Sequence, residues 1–260
     1  MSSEKNAAAE QSAVLGDRRG DHYRLRAGVV DMTRPVLPLQ PAEMAAQPES
    51  IAVDLCKAAL LIVDMQNDFC SREGWLGSLG VDLSGTWRIY DPINAALGAA
   101  RTRGVPVIWV NWGVRPDRAN LPAGVRYPFN RVGCGVGLGD VLKKDSWGAA
   151  VVKELAALPD DIYVDKHRIS GFWDTPLDSI LRALQVKTLF FAGVNADHCV
   201  LATLMDASFH GYDTVLLEDC TATSSPDFCL QATLHNIRFC FGFTVRHEEF
   251  VRALGTERGA

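Results

Sequence analysis

An acid, a cation and a thiol stand out by type in this chain: Asp64, Lys166 and Cys199. A cysteine thiolate adds to a carbonyl carbon. A carboxylate can take the thiol proton and return it to a leaving amine. A lysine ammonium beside a thiol favours its ionised form, as does the amino end of a helix. Free N–H groups in the loop 194–199 can receive the oxyanion of a tetrahedral intermediate. Each residue alone also has an ordinary reading, as a turn aspartate, a solvated lysine or a small buried thiol. The chemistry therefore depends on whether the fold brings them together.

The sequence around them alternates strand and helix signals. Apolar, β-rich runs cover Ala58–Val63, Val105–Asn111, Ile162–Asp165, Thr188–Gly193, Thr214–Leu217 and Phe239–Val245. Between them, Ile89, Ile93, Ala96, Leu97 and Ala100 recur at helical spacing, and Gly104 is a stop. Helices are expected over Ala149–Leu158, 198–210, Phe228–Ile237 and His247–Leu254, and from Thr175-Pro176-Leu177-Asp178, where Thr can cap and Pro fits the first turn. Short continuous apolar strands separated by helices make a parallel sheet buried on both faces. The expected fold is α/β, a doubly wound six-stranded parallel sheet with helices on both faces, a three-layer Rossmann-type arrangement. Ligands bind such sheets beyond the strand carboxyl ends. Asp64, Lys166 and Cys199 each follow such an end.

Residues 1–50 have no clean period and hold Pro35, Pro38, Pro41 and Pro48. They read as an N-terminal arm, either mobile or ordered against a neighbouring subunit, ahead of a domain over 51–260. There are 26 Lys and Arg against 31 Asp and Glu, a net charge of −5, which leaves no basic footprint for nucleic acid. No run approaches the roughly 20 apolar residues of a membrane span. The first thirty residues lack the apolar core of a secretory leader. Seven cysteines, an odd number with no C-x-x-C pair, argue against a disulfide framework, so a cytoplasmic location is expected.

Three blocks carry a family resemblance. They are Leu61-Ile62-Val63-Asp64-Met65-Gln66-Asn67-Asp68-Phe69, Asp165-Lys166-His167-Arg168-Ile169-Ser170-Gly171-Phe172 and Phe191-Ala192-Gly193-Val194-Asn195-Ala196-Asp197-His198-Cys199-Val200. In order and strand context they resemble the signatures of the isochorismatase-like cysteine hydrolases. The nearest likeness is to a branch acting on ureido and carbamoyl compounds, including ureidoacrylate, carried by segments such as Gly74-Trp75-Leu76 and Phe172-Trp173-Asp174-Thr175-Pro176. The resemblance implies Cys199 as nucleophile, Asp64 as proton acceptor and donor, and Lys166 as the cation that steadies them. It also implies a cis peptide at Val194–Asn195, aiming the Asn195 N–H, with that of Cys199, at the oxyanion. Homo-oligomers, dimers or tetramers, are common among such proteins. The chain departs from the branch at Asn111-Trp112-Gly113, at Ile169 where an aromatic is expected, and at Trp75 and Trp173, where smaller aromatics are common.

Candidate substrate contacts are Phe69, Asn111, Trp112, Arg168, Phe172 and Trp173. Arg168 can grip a carboxylate in a bidentate way, or form a structural ion pair. The two tryptophans can stack on a planar group, or simply pack. Asn111 can bond a urea, or cap its loop. No cofactor is expected, and no metal. The histidines lack zinc spacing, and none lies between Asp64 and His167, where nicotinamidase-type relatives carry a pair. His198 is expected to point off the helix start. The glycines at 133, 135, 137 and 139 suggest a flexible loop at the site mouth, a candidate lid. Cys70 lies close in sequence to Asp64. The expected activity is cysteine-dependent hydrolysis of a small ureido, carbamoyl or carboxamide C–N bond through a thioester. One alternative is the same mechanism on an aromatic or heterocyclic amide or lactam. Another is a non-catalytic binding module.

Overall fold

The computed structural model describes residues 13–16, 21–34 and 36–255. Two compact units divide the chain at Leu39 and Gln40. In the first, β1 (Ala13–Gly16), β2 (His22–Arg26) and β3 (Val29–Asp31) form an antiparallel sheet. Gly28 at φ +73° turns the β2–β3 hairpin, a conformation that costs glycine little. The arm thus contains strand pairing that its lack of period had hidden.

The second unit begins at Gln40 rather than at residue 51. A hairpin of β4 (Pro41–Met44) and β5 (Ile51–Asp54) accounts for the difference. Ala42 and Met44 alternate inward and are buried, so this segment joins the core and packs against the last helix. The remaining residues of the expected arm and the last residues of the expected domain, 1–12, 17–20, 35 and 256–260, lie outside the described residues.

The main sheet has six strands: β6 (Ala58–Val63), β7 (Val107–Trp112), β8 (Ile162–Lys166), β9 (Thr188–Gly193), β10 (Asp213–Thr221) and β11 (Phe243–Val245). All run parallel, in the order β11-β10-β9-β6-β7-β8. Every residue of β6, β7 and β9 is buried, as continuous apolar strands require when both faces are covered. After β6 the chain passes three short helices, α1 (Asn67–Cys70), α2 (Trp75–Ser78) and α3 (Ser84–Arg88), and then α4 (Tyr90–Thr102). It winds outward through β7 and β8, with α5 (Ala123–Val132) in the long crossover between them. It then returns to β9 on the other side of β6. From there α6 (Leu177–Ala183), α7 (Leu201–Phe209), α8 (Asp227–Asn236) and α9 (His247–Gly255) complete the layers, and α9 packs against α4. The winding reverses between β6 and β9, which opens a crevice at their carboxyl ends.

Most expected elements are present, with three differences. Ala149–Leu158 forms turns, not a helix. Its backbone is engaged by the loop after β6: Asn67 N–H donates to Ala150 O (2.9 Å), Asp68 N–H to Gly148 O (2.9 Å) and Val152 N–H to Met65 O (3.0 Å). The expected strand from Phe239 starts only at Phe243, because Ile237–Phe241 continues α8 as a π-helical turn. Finally, α5 arises in a segment read as loop, despite Gly124 and Pro128 within it. The expected helix start at Thr175 is present: its Oγ1 accepts from Leu177 N–H at 3.1 Å. Among the described residues no helix is long and apolar enough to cross a membrane.

Candidate active site

Asp64 follows β6 in the left-handed region, φ +54°, which aspartate tolerates better than most residues. Buried Gln66 ties this turn to the end of β7, since its Oε1 accepts from Trp112 N–H (2.8 Å) and its Nε2 donates to Trp112 O (2.7 Å). Cys70 donates weakly to Asp64 O at 3.8 Å. Lys166 ends β8 and is wholly buried. At the end of β9, Gly193 has φ +113°, and a Cβ there would lie 2.1 Å from Val63 O. Only glycine permits so close a crossing of β6 and β9. The chain then turns through Val194 and Asn195 into a π-helical turn, Ala196–Val200, that carries Cys199.

These turns bring the three predicted residues together. Lys166 Nζ lies 3.0 Å from Asp64 Oδ2 and 3.3 Å from Cys199 Sγ. It also donates to Arg168 O at 3.2 Å and sits 4.0 Å from the Trp112 ring centroid. The indole face attracts the ammonium without needing a hydrogen bond.

Burial raises the Asp64 pKa above the ordinary carboxylate value, and the Lys166 charge and the Cys199 hydrogen bond only partly oppose it. The Cys199 thiol is pushed up to about 12, by burial first and by the Asp64 charge second, with Lys166 pulling the other way. A buried cluster of one cation and two acids is cheapest with one anion, so it keeps one proton. Asp64 and Cys199 share that proton, and its passage from sulfur to carboxylate leaves the net charge unchanged.

The Val194–Asn195 peptide is cis. Val200 N–H donates to Asn195 O at 3.2 Å, the acceptor that a regular α turn would give to Cys199. Ala196 N–H is held by Ala222 O (2.9 Å), and Asn195 Oδ1 accepts from Ser224 N–H (3.0 Å). The loop is thereby fixed from both sides.

Asp64 and Cys199 open on a cavity of about 320 Å³. Its walls are mainly apolar, from Phe69, Trp75, Leu76, Pro128, Phe129, Val132, Ile169 and Val194, with Arg131, Asn195, His198 and Ser224 as polar members. Trp75 stacks on Phe129 (5.8 Å between centroids, 21°) and meets Phe69 edge-on (6.4 Å).

Of the predicted substrate contacts, Phe69 lines this cavity. Trp112 instead lies beneath Lys166, edge-on to Phe129 at 5.3 Å. Asn111 and Trp112 both line a separate cavity with Lys144, Tyr163 and Asp165. Arg168 pairs with Asp174 (3.0 Å) and donates to Asn120 O (2.9 Å), so its guanidinium is engaged by the protein. Phe172 packs on His210 and Tyr212. Trp173 is 63% exposed and outside the cavity.

His198 lines the cavity mouth, contrary to expectation, 3.5 Å from Asp197. The contacts missed in the sequence come chiefly from α5, which has no long apolar period. Trp75 and Ile169 were visible only as departures from the family pattern. The glycine loop continues α5, and Gly133 approaches the Trp75 indole nitrogen.

One group among the described residues has metal-ligand chemistry, Asp219, His247 and Glu248, with ligand atoms within 4.8 Å of one another. Arg246 pairs with both carboxylates (3.2 and 3.4 Å), and His247 Nδ1 lies 2.7 Å from Asp219, which makes it an ion-pair network.

The isochorismatase domain pattern matches residues 58–249. A ureidoacrylate amidohydrolase RutB from Cronobacter sakazakii is 37% identical over 221 residues, covering 82% of this chain and 95% of that protein. A solved cysteine hydrolase from Pseudomonas syringae pv. phaseolicola superposes with a TM-score of 0.68 at 27% identity, over 85% of this chain and 98% of the other. N-carbamoylsarcosine amidase from Thermoplasma acidophilum does so with a TM-score of 0.58 at 29% identity, over 74% and 98%.

Proposed function

We propose, for a chain that belongs to the isochorismatase family and is a hydrolase of non-peptide C–N bonds, a cysteine-dependent attack on a small ureido, carbamoyl or carboxamide substrate. The observation that carries this reading is the Lys166 ammonium, 3.0 Å from the Asp64 carboxylate and 3.3 Å from the Cys199 sulfur, beside one cavity. Cys199 passes its proton to Asp64 as sulfur adds to the carbonyl carbon. The oxyanion rests on the N–H groups of Asn195 and Cys199, a contribution worth about 10²–10³ in rate per donor. Asp64 then protonates the leaving nitrogen, and the C–N bond breaks. This leaves a thioester, or its carbamoyl equivalent from a ureido substrate. Water next gives a proton to Asp64 and adds to the carbonyl. The C–S bond breaks, sulfur regains its proton, and acid or carbamate departs. Lys166 stays charged throughout, facing whichever partner holds the anion.

Ureidoacrylate is the first substrate to try, since that is what the relative's name specifies. Aryl amides and lactams form the second reading, favoured by the aromatic wall of Phe69, Trp75 and Phe129 rather than by Trp112 and Trp173. The reading also includes a cytoplasmic enzyme, supported by the odd cysteine count, and a homo-oligomer. The N-terminal arm remains a candidate for contact with a neighbouring subunit, and the 133–139 loop for a lid.

The test is amine or ammonia release from ureido acids, carbamoyl amino acids, aliphatic and aryl amides and lactams, with Cys199→Ala as control. Ureido turnover that needs Cys199 supports the first reading, and turnover confined to aryl amides or lactams moves the substrate to the second. Full turnover by Cys199→Ala or Asp64→Asn would overturn the mechanism. Silence across the panel favours a binding module.

A further inference from the structure

We infer that Arg131 and the Trp75 indole N–H form a subsite for a carboxylate, at the end of the substrate remote from the bond that breaks. The inference rests on the amidohydrolase reading and states what that site selects.

Arg131 is the single Lys or Arg side chain among the residues lining the catalytic cavity. It makes no ion pair among the described residues. Four cations elsewhere around the crossover are already occupied. Arg115 holds Asp117 (2.6 Å), Arg118 holds Asp140 (2.6 Å), Lys144 holds Asp165 (2.6 Å) and Arg168 holds Asp174 (3.0 Å). The arginine expected from sequence to meet a carboxylate is therefore committed, and another faces the cavity uncommitted.

Trp75 supplies the second, independent observation. It is 6% exposed, lines the same cavity, and its Nε1 is buried without a hydrogen-bond partner. An indole N–H can only donate, and so can a guanidinium. Both therefore call for an acceptor, and the charge of Arg131 calls for an anionic one. The indole is held between Phe129 and Phe69, so its N–H is preorganised. Gly133 lets the chain pack closely beside it: a Cβ there would come within 2.7 Å of Nε1. A buried donor left unsatisfied is destabilising, a cost that a bound carboxylate would relieve. Because the remaining walls are largely apolar, an uncharged analogue would leave the Arg131 charge unmatched.

The test uses binding to the Cys199→Ala protein, where no turnover intervenes, with 3-ureidoacrylate and its methyl ester as probes followed by calorimetry. The acid should bind about tenfold to a hundredfold tighter than the ester, and added salt should narrow the gap. Arg131→Gln in the Cys199→Ala background should abolish that preference. Arg131→Lys should restore part of it, and Trp75→Phe should reduce it several-fold. Equal binding of acid and ester, absence of binding by both, or a preference that survives Arg131→Gln would overturn the subsite. The amidohydrolase reading is judged separately, by the unsubstituted enzyme's turnover of the amide panel. Cys199-dependent turnover without acid preference would sink only the subsite.

Discussion

The wall that carries Asp64, Lys166 and Cys199 and the wall that carries Phe129, Arg131 and Val132 are built by opposite means. The first is made of sheet ends. Its side chains are buried, its loops are tied to β6, β7 and β10, and Gly193 leaves no room for another residue. The second comes from the crossover between β7 and β8, where α5 has no fully buried residue and contains Pro128. Bond making demands positions fixed to a fraction of an ångström, which a parallel sheet supplies. Choosing a substrate tolerates a looser support, and a crossover can vary without disturbing the sheet. The contrast predicts losses of turnover on one wall and losses of affinity on the other.

The largest effect is expected at Cys199. Replacement by Ala should lower kcat by about 10⁴-fold or more, with no covalent intermediate in intact-protein mass spectra. Normal turnover in that variant would break the comparison at its root. Next comes Lys166→Met, which leaves a buried carboxylate unpaired. Urea unfolding should show a loss of about 3–5 kcal/mol, largely recovered by adding Asp64→Asn. If the single variant matched the unsubstituted protein in stability, the pair would not be the buried unit described above.

Gly193→Ala follows, at about 3 kcal/mol, since the new methyl must displace β6 backbone. Its melting temperature and kcat should fall together. The pH profile sharpens the picture further. Activity needs one proton on the Asp64–Cys199 pair, and a second proton on Asp64 blocks transfer from sulfur. Because the Asp64 pKa is raised, activity should fall with decreasing pH at a higher pH than an ordinary aspartate would give. A limb at ordinary carboxylate values would deny the effect of burial. Smallest is Phe129→Ala on α5. KM should rise several-fold, while stability changes by about 1 kcal/mol or less for so exposed a helix. A comparable loss in kcat would show that α5 helps to position the reacting groups.

What could be read from the sequence follows the same division. Ala58–Val63 and Thr188–Gly193 are continuous apolar runs, so strand, burial and parallel pairing were legible together. Asp64 and Cys199 were legible because strand ends at a winding reversal must converge. The Ala149–Leu158 segment has helical spacing, but its backbone is engaged by the loop at Met65–Asp68. No local pattern reports such a distant partner. Asn111 and Trp112 were read as substrate contacts, but both line a cavity apart from the catalytic one. Arg168 was chosen for its type and its place after Lys166, and nothing nearby in sequence announced its pairing with Asp174. Arg131 lies in a helix with no core face to betray it.

The high proton affinity of Cys199 bears on damage as well as on turnover. Oxidants and alkylating agents consume thiolates, and exposed ones first. The Cys199 thiol is buried and pushed up to about 12, while Cys134 and Cys240 are exposed. On the proposed mechanism its sulfur is activated only as it adds to a carbonyl placed beside it. Small electrophiles should therefore mark the two surface cysteines well before they silence the enzyme.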